Sequence, residues 1–145
     1  MHFEKTNVEE FYLVRLNPKD DILTSLQHAA KKLNIKNGII IGGVGSVNAY
    51  HFHVVSSMQN PPQEIYPKGE APADIISMSG FILDGKVHAH ISFSNDRVAY
   101  GGHLEEGSRV LTFSTIVLAK ISNTIGGWDK IGDIEPILEN TRLKN

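Results

Sequence analysis

Apolar positions along this chain recur at two different spacings, and the changes between them mark its elements. From Glu10 to Asn17 the run EFYLVRLN is dominated by aromatic and branched residues and stops at Pro18, which predicts a strand. Ile22, Leu23, Leu26, Ala29, Ala30 and Leu33 then repeat at three- and four-residue intervals, with Lys31 and Lys32 at the far end. That spacing predicts an amphipathic helix. Asn17 or Asp20 is placed to cap it, with acidic residues in the first turn where the positive end of the helix dipole favours them. His28 falls at the edge of the apolar stripe, a structural position. After the turn signal Asn37-Gly38, Ile39 to Ile41 reads as a short buried strand. The glycine-rich GGVGS follows, and Val47 to Val55 reads as another strand. The glycines lack the Lys-Ser/Thr of a phosphate-binding loop and no helical pattern follows, so they are assigned to a tight strand-to-strand connection or to close packing.

Periodicity then breaks. Residues 56–72 are polar and proline-rich and read as a functional or mobile loop from which Tyr66 and Lys68 could reach a ligand. Ile75, Ile76, Met78, Phe81 and Ile82 form the next strand around Gly80, and Asp84-Gly85 is a strong hairpin signal. A strand through VHAHISFS, a turn at Ser94 to Arg97 and a short VAY run come next. Arg109 to Ile121 is long and apolar on both faces, which predicts a central place in a sheet. The tail holds the only tryptophan, Trp128, suited to covering a core edge or a subunit contact. A short helical turn is expected at Ile134 to Leu138, then a frayed end.

The chemistry concentrates between Phe81 and Gly107. In an extended segment alternate side chains share a face, so His88 and His90 project the same way with Cα atoms about 6.6 Å apart. Val87, Ala89 and Ile91 take the opposite face, and Phe93 is expected to continue the histidine face. His103 follows Gly101-Gly102, whose freedom lets a returning antiparallel chain aim it back at the pair. Three neutral nitrogen donors suit a zinc-type ion at about 2.0 to 2.1 Å and leave a fourth position for water or a ligand. His51 and His53 form a rival H-x-H, but no third histidine lies near them in sequence, and a polar face is assigned to them instead. Glu105, Glu106, Arg97 and Ser92 are candidate helpers.

Composition narrows the options. With 145 residues, one domain is expected. No cysteine is present, which excludes disulfides and thiolate ligands and suits a reducing cytoplasm. The start MHFEKTNVEE has no signal-like apolar core, and no run is long enough to span a membrane. Fourteen basic residues stand against 16 acidic ones, a net charge of −2, which argues against a stand-alone DNA binder.

The order of features, from one strand and one helix through IGGVGS, SGFILDG, HAHISFS and GGHLEEG to a long apolar strand, resembles the PPC (plants and prokaryotes conserved) domain family over roughly residues 10–121. The resemblance implies an α+β fold, a mainly antiparallel sheet with one amphipathic helix packed on it, and a homotrimer. It also implies a zinc site at His88, His90 and His103. Gly43, Gly45 and Ser46 match the family's glycine-rich turn and, with Arg97 and Glu105, are the candidate ligand-binding residues. His51 and His53 match nothing in it. Plant members carry a fused Arg-Gly-Arg-Pro AT-hook, which is missing here, so DNA is not an expected partner. An open position on such an ion suits small-ligand binding or hydrolytic or lyase chemistry; a DNA-associated regulatory role, as the plant members suggest, or a non-catalytic assembly module is the alternative.

Overall fold

The computed structural model describes residues 1–142. Its elements are β1 (Val8–Leu16), α1 (Ile22–Lys32), β2 (Gly38–Val55), β3 (Glu64–Ile65), β4 (Lys68–Leu83), β5 (Lys86–Ser94), β6 (Ala99–Leu104), β7 (Arg109–Ile121) and α2 (Ile134–Arg142). The main strands lie in the order β1-β7-β2-β4-β5-β6, all antiparallel to their neighbours, and β3 adds to β2. The sheet then curls until β6 also meets the end of β2, with Phe52 opposite Leu104 and His53 opposite His103. Strands β2, β4, β5 and β6 thus close a small ring, and α1 packs against β5 and β1. The fold is α+β with a mainly antiparallel sheet, as the sequence pattern implies.

Ile22, Leu26 and Ala30 form the buried stripe of α1 and join Leu16, Val47, Ile75, Met78, Ala89, Ile91 and Leu104 in one core. Phe93 belongs to this core and not to the histidine face: it is fully buried with Ala89 and Ile91, while His88 and His90 project outward. Strand parity alone places residues 89, 91 and 93 together. Inside the ring Tyr50, Phe52, Phe93 and Tyr100 pack against one another, the tightest pair being Tyr50 and Tyr100 at 4.8 Å between centroids.

Asp21, not Asn17 or Asp20, caps the helix. Its carboxylate accepts the Thr24 N–H at 2.9 Å and, with the other oxygen, the Gly107 N–H at 2.6 Å, so it pins α1 to the β6–β7 turn. Asp20 closes the preceding turn instead, accepting the Asn17 N–H, and the first turn of α1 contains no acidic residue. Asp21→Ala should therefore cost about 2 kcal/mol, at the upper end for a cap because two N–H groups lose their acceptor. Chemical denaturation checks this, and an unchanged midpoint contradicts it.

The two strands expected on either side of GGVGS are one continuous strand, β2, bent by register shifts against β7. Gly43 and Gly45 serve close packing: Gly45 has φ +151, and a Cβ there would run into the Phe113 carbonyl of β7. Part of the expected loop at residues 56–72 is also strand, since β3 pairs with Val54 and Val55 and β4 begins at Lys68. The Asp84-Gly85 hairpin is present, with both residues at positive φ (51° and 81°). Strand β7 has partners on both sides but lies one place from the sheet edge. In the tail, Ile125 and Trp128 close a second small cluster over Leu83 and Ile121. The expected turn at Ile134 is the longer helix α2, and residues 143–145, where fraying is expected, lie outside the described residues. Among the described residues no helix is long and apolar enough to cross a membrane.

Candidate metal centre

The outer face of β5, β6 and the end of β2 gathers imidazoles from both H-x-H motifs. His103 in β6 sits opposite His90 of β5 on one side and opposite His53 of β2 on the other. His88 lies two residues from His90 on the same strand face. One nitrogen from each of His88, His90 and His103 falls within 4.8 Å of the others, a separation that one ion could bridge. The His88 and His90 rings are near-parallel at 5.6 Å, and His103 meets them edge-on at 4.5 and 5.5 Å.

Gly101 and Gly102 do not form a turn. They are mid-strand, where a Cβ on Gly101 would run into the Ile91 carbonyl and one on Gly102 into the His53 carbonyl. Gly80 has the same relation to the His88 carbonyl. These three positions let the backbones around the histidines approach closely.

His88 Nδ1 lies 3.1 Å from Asp129 Oδ2, a tail carboxylate that orients the ring and leaves Nε2 for a ligand bond. No local pattern points to Asp129, because it reaches the site from the far side of the tail. His53 has a third donor after all. Its ring stacks on His103 at 4.3 Å, and His53, His103 and Glu105 form a second group whose ligand atoms lie within 4.8 Å of one another. His53 Nδ1 is 2.6 Å from Glu105 Oε1, and its Nε2 is 3.6 Å from Glu64 Oε1. Sequence distance hides this arrangement, since closure of the ring between β2 and β6 creates it. His51 turns elsewhere, its Nδ1 meeting the Glu106 carbonyl at 2.7 Å.

Of the loop residues, Tyr66 comes to the site: its ring lies 5.2 Å from that of His53, and its hydroxyl donates to Glu64 at 2.7 Å. That bond to a carboxylate is the chief reason the Tyr66 hydroxyl is held above its ordinary pKa. Glu105 is the one ligand-binding candidate brought to the histidines. Arg97 is exposed beside Asp96 in the β5–β6 turn, and Gly43, Gly45 and Ser46 face β7, where the Ser46 hydroxyl meets that of Thr112. Ser92 shares a shallow depression with His90, Ser77 and Ser79.

Burial and the neighbouring imidazoles of His88 and His53 push His90 below its usual pKa. The same causes, burial first, bring His103 down to about 4. Both are neutral at pH 7, the state a metal ligand requires. As pH falls from 6.5 toward 4 the unfolded chain takes up a proton on residue 103 that the folded chain refuses, so the metal-free protein loses stability across that window. With the ring only half-buried and screened by solvent, the loss should be about 1 to 2 kcal/mol. Urea unfolding at both ends of the window should show this increment in the wild-type chain and not in His103→Gln; equal pH dependence in the two contradicts it.

A family model described as the Plants and Prokaryotes Conserved (PCC) domain matches residues 3–122. Three solved structures share the fold. A metal-containing protein from Archaeoglobus fulgidus aligns with a TM-score of 0.75 at 21% identity, covering 86% of this chain and 89% of that one. A plant- and prokaryote-conserved protein from Pyrococcus horikoshii aligns at 0.69 and 26%, covering 85% and 86%. A candidate DNA-binding protein from Bacteroides thetaiotaomicron aligns at 0.70 and 20%, covering 81% and 83%. Among curated proteins, the chain is 27% identical over 109 residues to the Bifunctional protein GlmU of Synechococcus sp. (strain JA-3-3Ab), covering 74% of the chain. The chain spans about a sixth of the length of the curated relatives it matches.

Proposed function

The chain belongs to the Plants and Prokaryotes Conserved domain family, and on that premise we propose that it is a trimeric zinc-binding protein. His88, His90 and His103 hold one ion and leave a position open to a small ligand. The observation that carries this reading is the convergence of three imidazole nitrogens within 4.8 Å, two of them on rings held neutral by their surroundings. Nitrogen-only donors in a chain without cysteine suit zinc better than the hard cations that prefer oxygen. The Archaeoglobus relative, described as metal-containing, supports it as well.

Bound there, zinc would polarise a carbonyl or lower the pKa of a coordinated water. The chain's own contributions are separable from that. Asp129 fixes the His88 ring, and the Glu105–His53 pair beside His103 is placed to accept a proton from a group at the open position. Trimer formation draws support from the outer sheet face. Phe11 and Leu13 of β1 are 65% and 81% exposed, and Phe113 of β7 with Ile41 and Val44 of β2 continues the apolar surface across neighbouring strands. Closed cyclic assembly would cover it.

Metal analysis of the purified chain tests the centre, with about one zinc per chain expected at neutral pH. Light scattering tests the assembly: a monomer at micromolar concentration overturns the trimer. The Bacteroides relative favours a second reading, association with DNA. The net charge of −2 opposes it. A titration at about 150 mM salt decides, since sub-micromolar binding there exceeds what non-specific contacts supply.

A further inference from the structure

We propose that a pocket beside the histidines, walled by the C-terminal tail, selects the ligand: it receives the ring or branched alkyl group of a small carboxylate whose polar end binds at the metal. This rests on the three-histidine centre holding an ion. The pocket, about 270 Å³, is lined by Phe81, Leu83, His88, Ile125, Trp128 and Asp129. An apolar cavity of about 150 Å³ accepts benzene, so one ring with a short linker fits. His88 belongs both to the pocket wall and to the metal-binding group, so only the width of its imidazole separates a molecule coordinated at the centre from the pocket.

The lining sets the chemistry of the occupant. No lysine or arginine is among these residues, and the Asp129 carboxylate is engaged by His88, so a phosphate or sulfate finds no partner inside. The anionic group must therefore stay at the ion, where three neutral imidazoles leave a positive charge uncompensated. Phe81, opposite His88 across the β4–β5 pair, is still 48% exposed and has apolar surface to lose to a ligand. The indole N–H of Trp128 is itself buried and inaccessible, so this residue meets an occupant through the carbon surface of its ring. Ile125, Trp128 and Asp129 all follow residue 122, where the family match ends. That side of the pocket thus lies outside the family match, in a place where one member's ligand preference would differ from another's.

The test compares acetate with 3-phenylpropionate on the zinc-loaded full chain by calorimetry. Burial of the phenyl group should make phenylpropionate bind about tenfold or more tightly. Trp128 is the only tryptophan, so its emission should shift with phenylpropionate and not with acetate. Trp128→Ala and Phe81→Ser should each bring the two affinities together while zinc content stays unchanged; Phe81→Ser alters a half-exposed ring and reads the same contact should the tryptophan variant fail to fold. A zinc-loaded chain that binds both carboxylates equally, or whose tryptophan is silent to phenylpropionate, overturns the pocket and leaves the metal centre standing. A chain that takes up no zinc overturns the centre, and this inference with it.

Discussion

His103→Ala is expected to abolish metal binding at neutral pH, taking zinc from about one ion per chain to none. His103 is the middle residue of three neighbouring strands and belongs to both groups of converging donors, so its loss leaves neither with three ligands. His90→Ala should also lose the ion, because His88 and His103 alone are two donors. His53→Ala should keep it, since all three proposed ligands remain. Circular dichroism should show the fold unchanged in each, because these side chains face outward while Ala89, Ile91 and Leu104 on the other side of the strands hold the core. Metal analysis after dialysis separates the outcomes: zinc lost in His53→Ala and retained in His90→Ala would mean that the other group holds the ion.

The second large effect concerns the backbone. Gly45→Ala should destabilise the protein by about 3 to 5 kcal/mol, combining overpacking against a neighbouring strand with a strained dihedral. The added Cβ would meet the Phe113 carbonyl and approach Ser114 Cα to 2.7 Å, and φ +151 is a conformation that side-chain-bearing residues rarely adopt. Neither contact is the flexible end of a side chain, so relief requires β2 and β7 to separate where Gly45 pairs with Ser114. Gly42→Ala is the control: nothing lies within 4 Å of its added Cβ, and its cost should stay below about 1 kcal/mol. In a chain this size the first change should lower the thermal midpoint by about 6 to 20 °C and the second by a few degrees at most.

These residues also show what is legible in the sequence. Alternation along VHAHI reveals which side of β5 carries the histidines, and helical spacing locates α1, because both signals are local. The same alternation, followed one step further, puts Phe93 in the core and corrects its expected place on the histidine face. What a local pattern cannot carry depends on pairings between distant segments. His53 gains its partners only because β6 returns to β2, and Asp129 reaches His88 across 41 residues. The glycines are legible as special positions, but their purpose is not, since the neighbours crowding Gly45, Gly101 and Gly102 are residues of other strands. Adjacent carboxylates at 20 and 21 look alike as caps until Gly107 approaches the second of them.

Strand β6 is only six residues long, yet it is the seam at which the ring closes, held by β5 along its length and by β2 at its end. An ion ligated from β5 and β6 would fasten β6 to β5, so occupancy and the detachment of β6 from β5 are thermodynamically linked. At a zinc concentration a hundredfold above the dissociation constant, linkage adds about 2.7 kcal/mol to the folded state. Much of that increment should appear as slower amide hydrogen exchange along Gly101 to Leu104, the stretch that must leave β5 for the three ligands to part. The protein's local breathing would then report the zinc available around it.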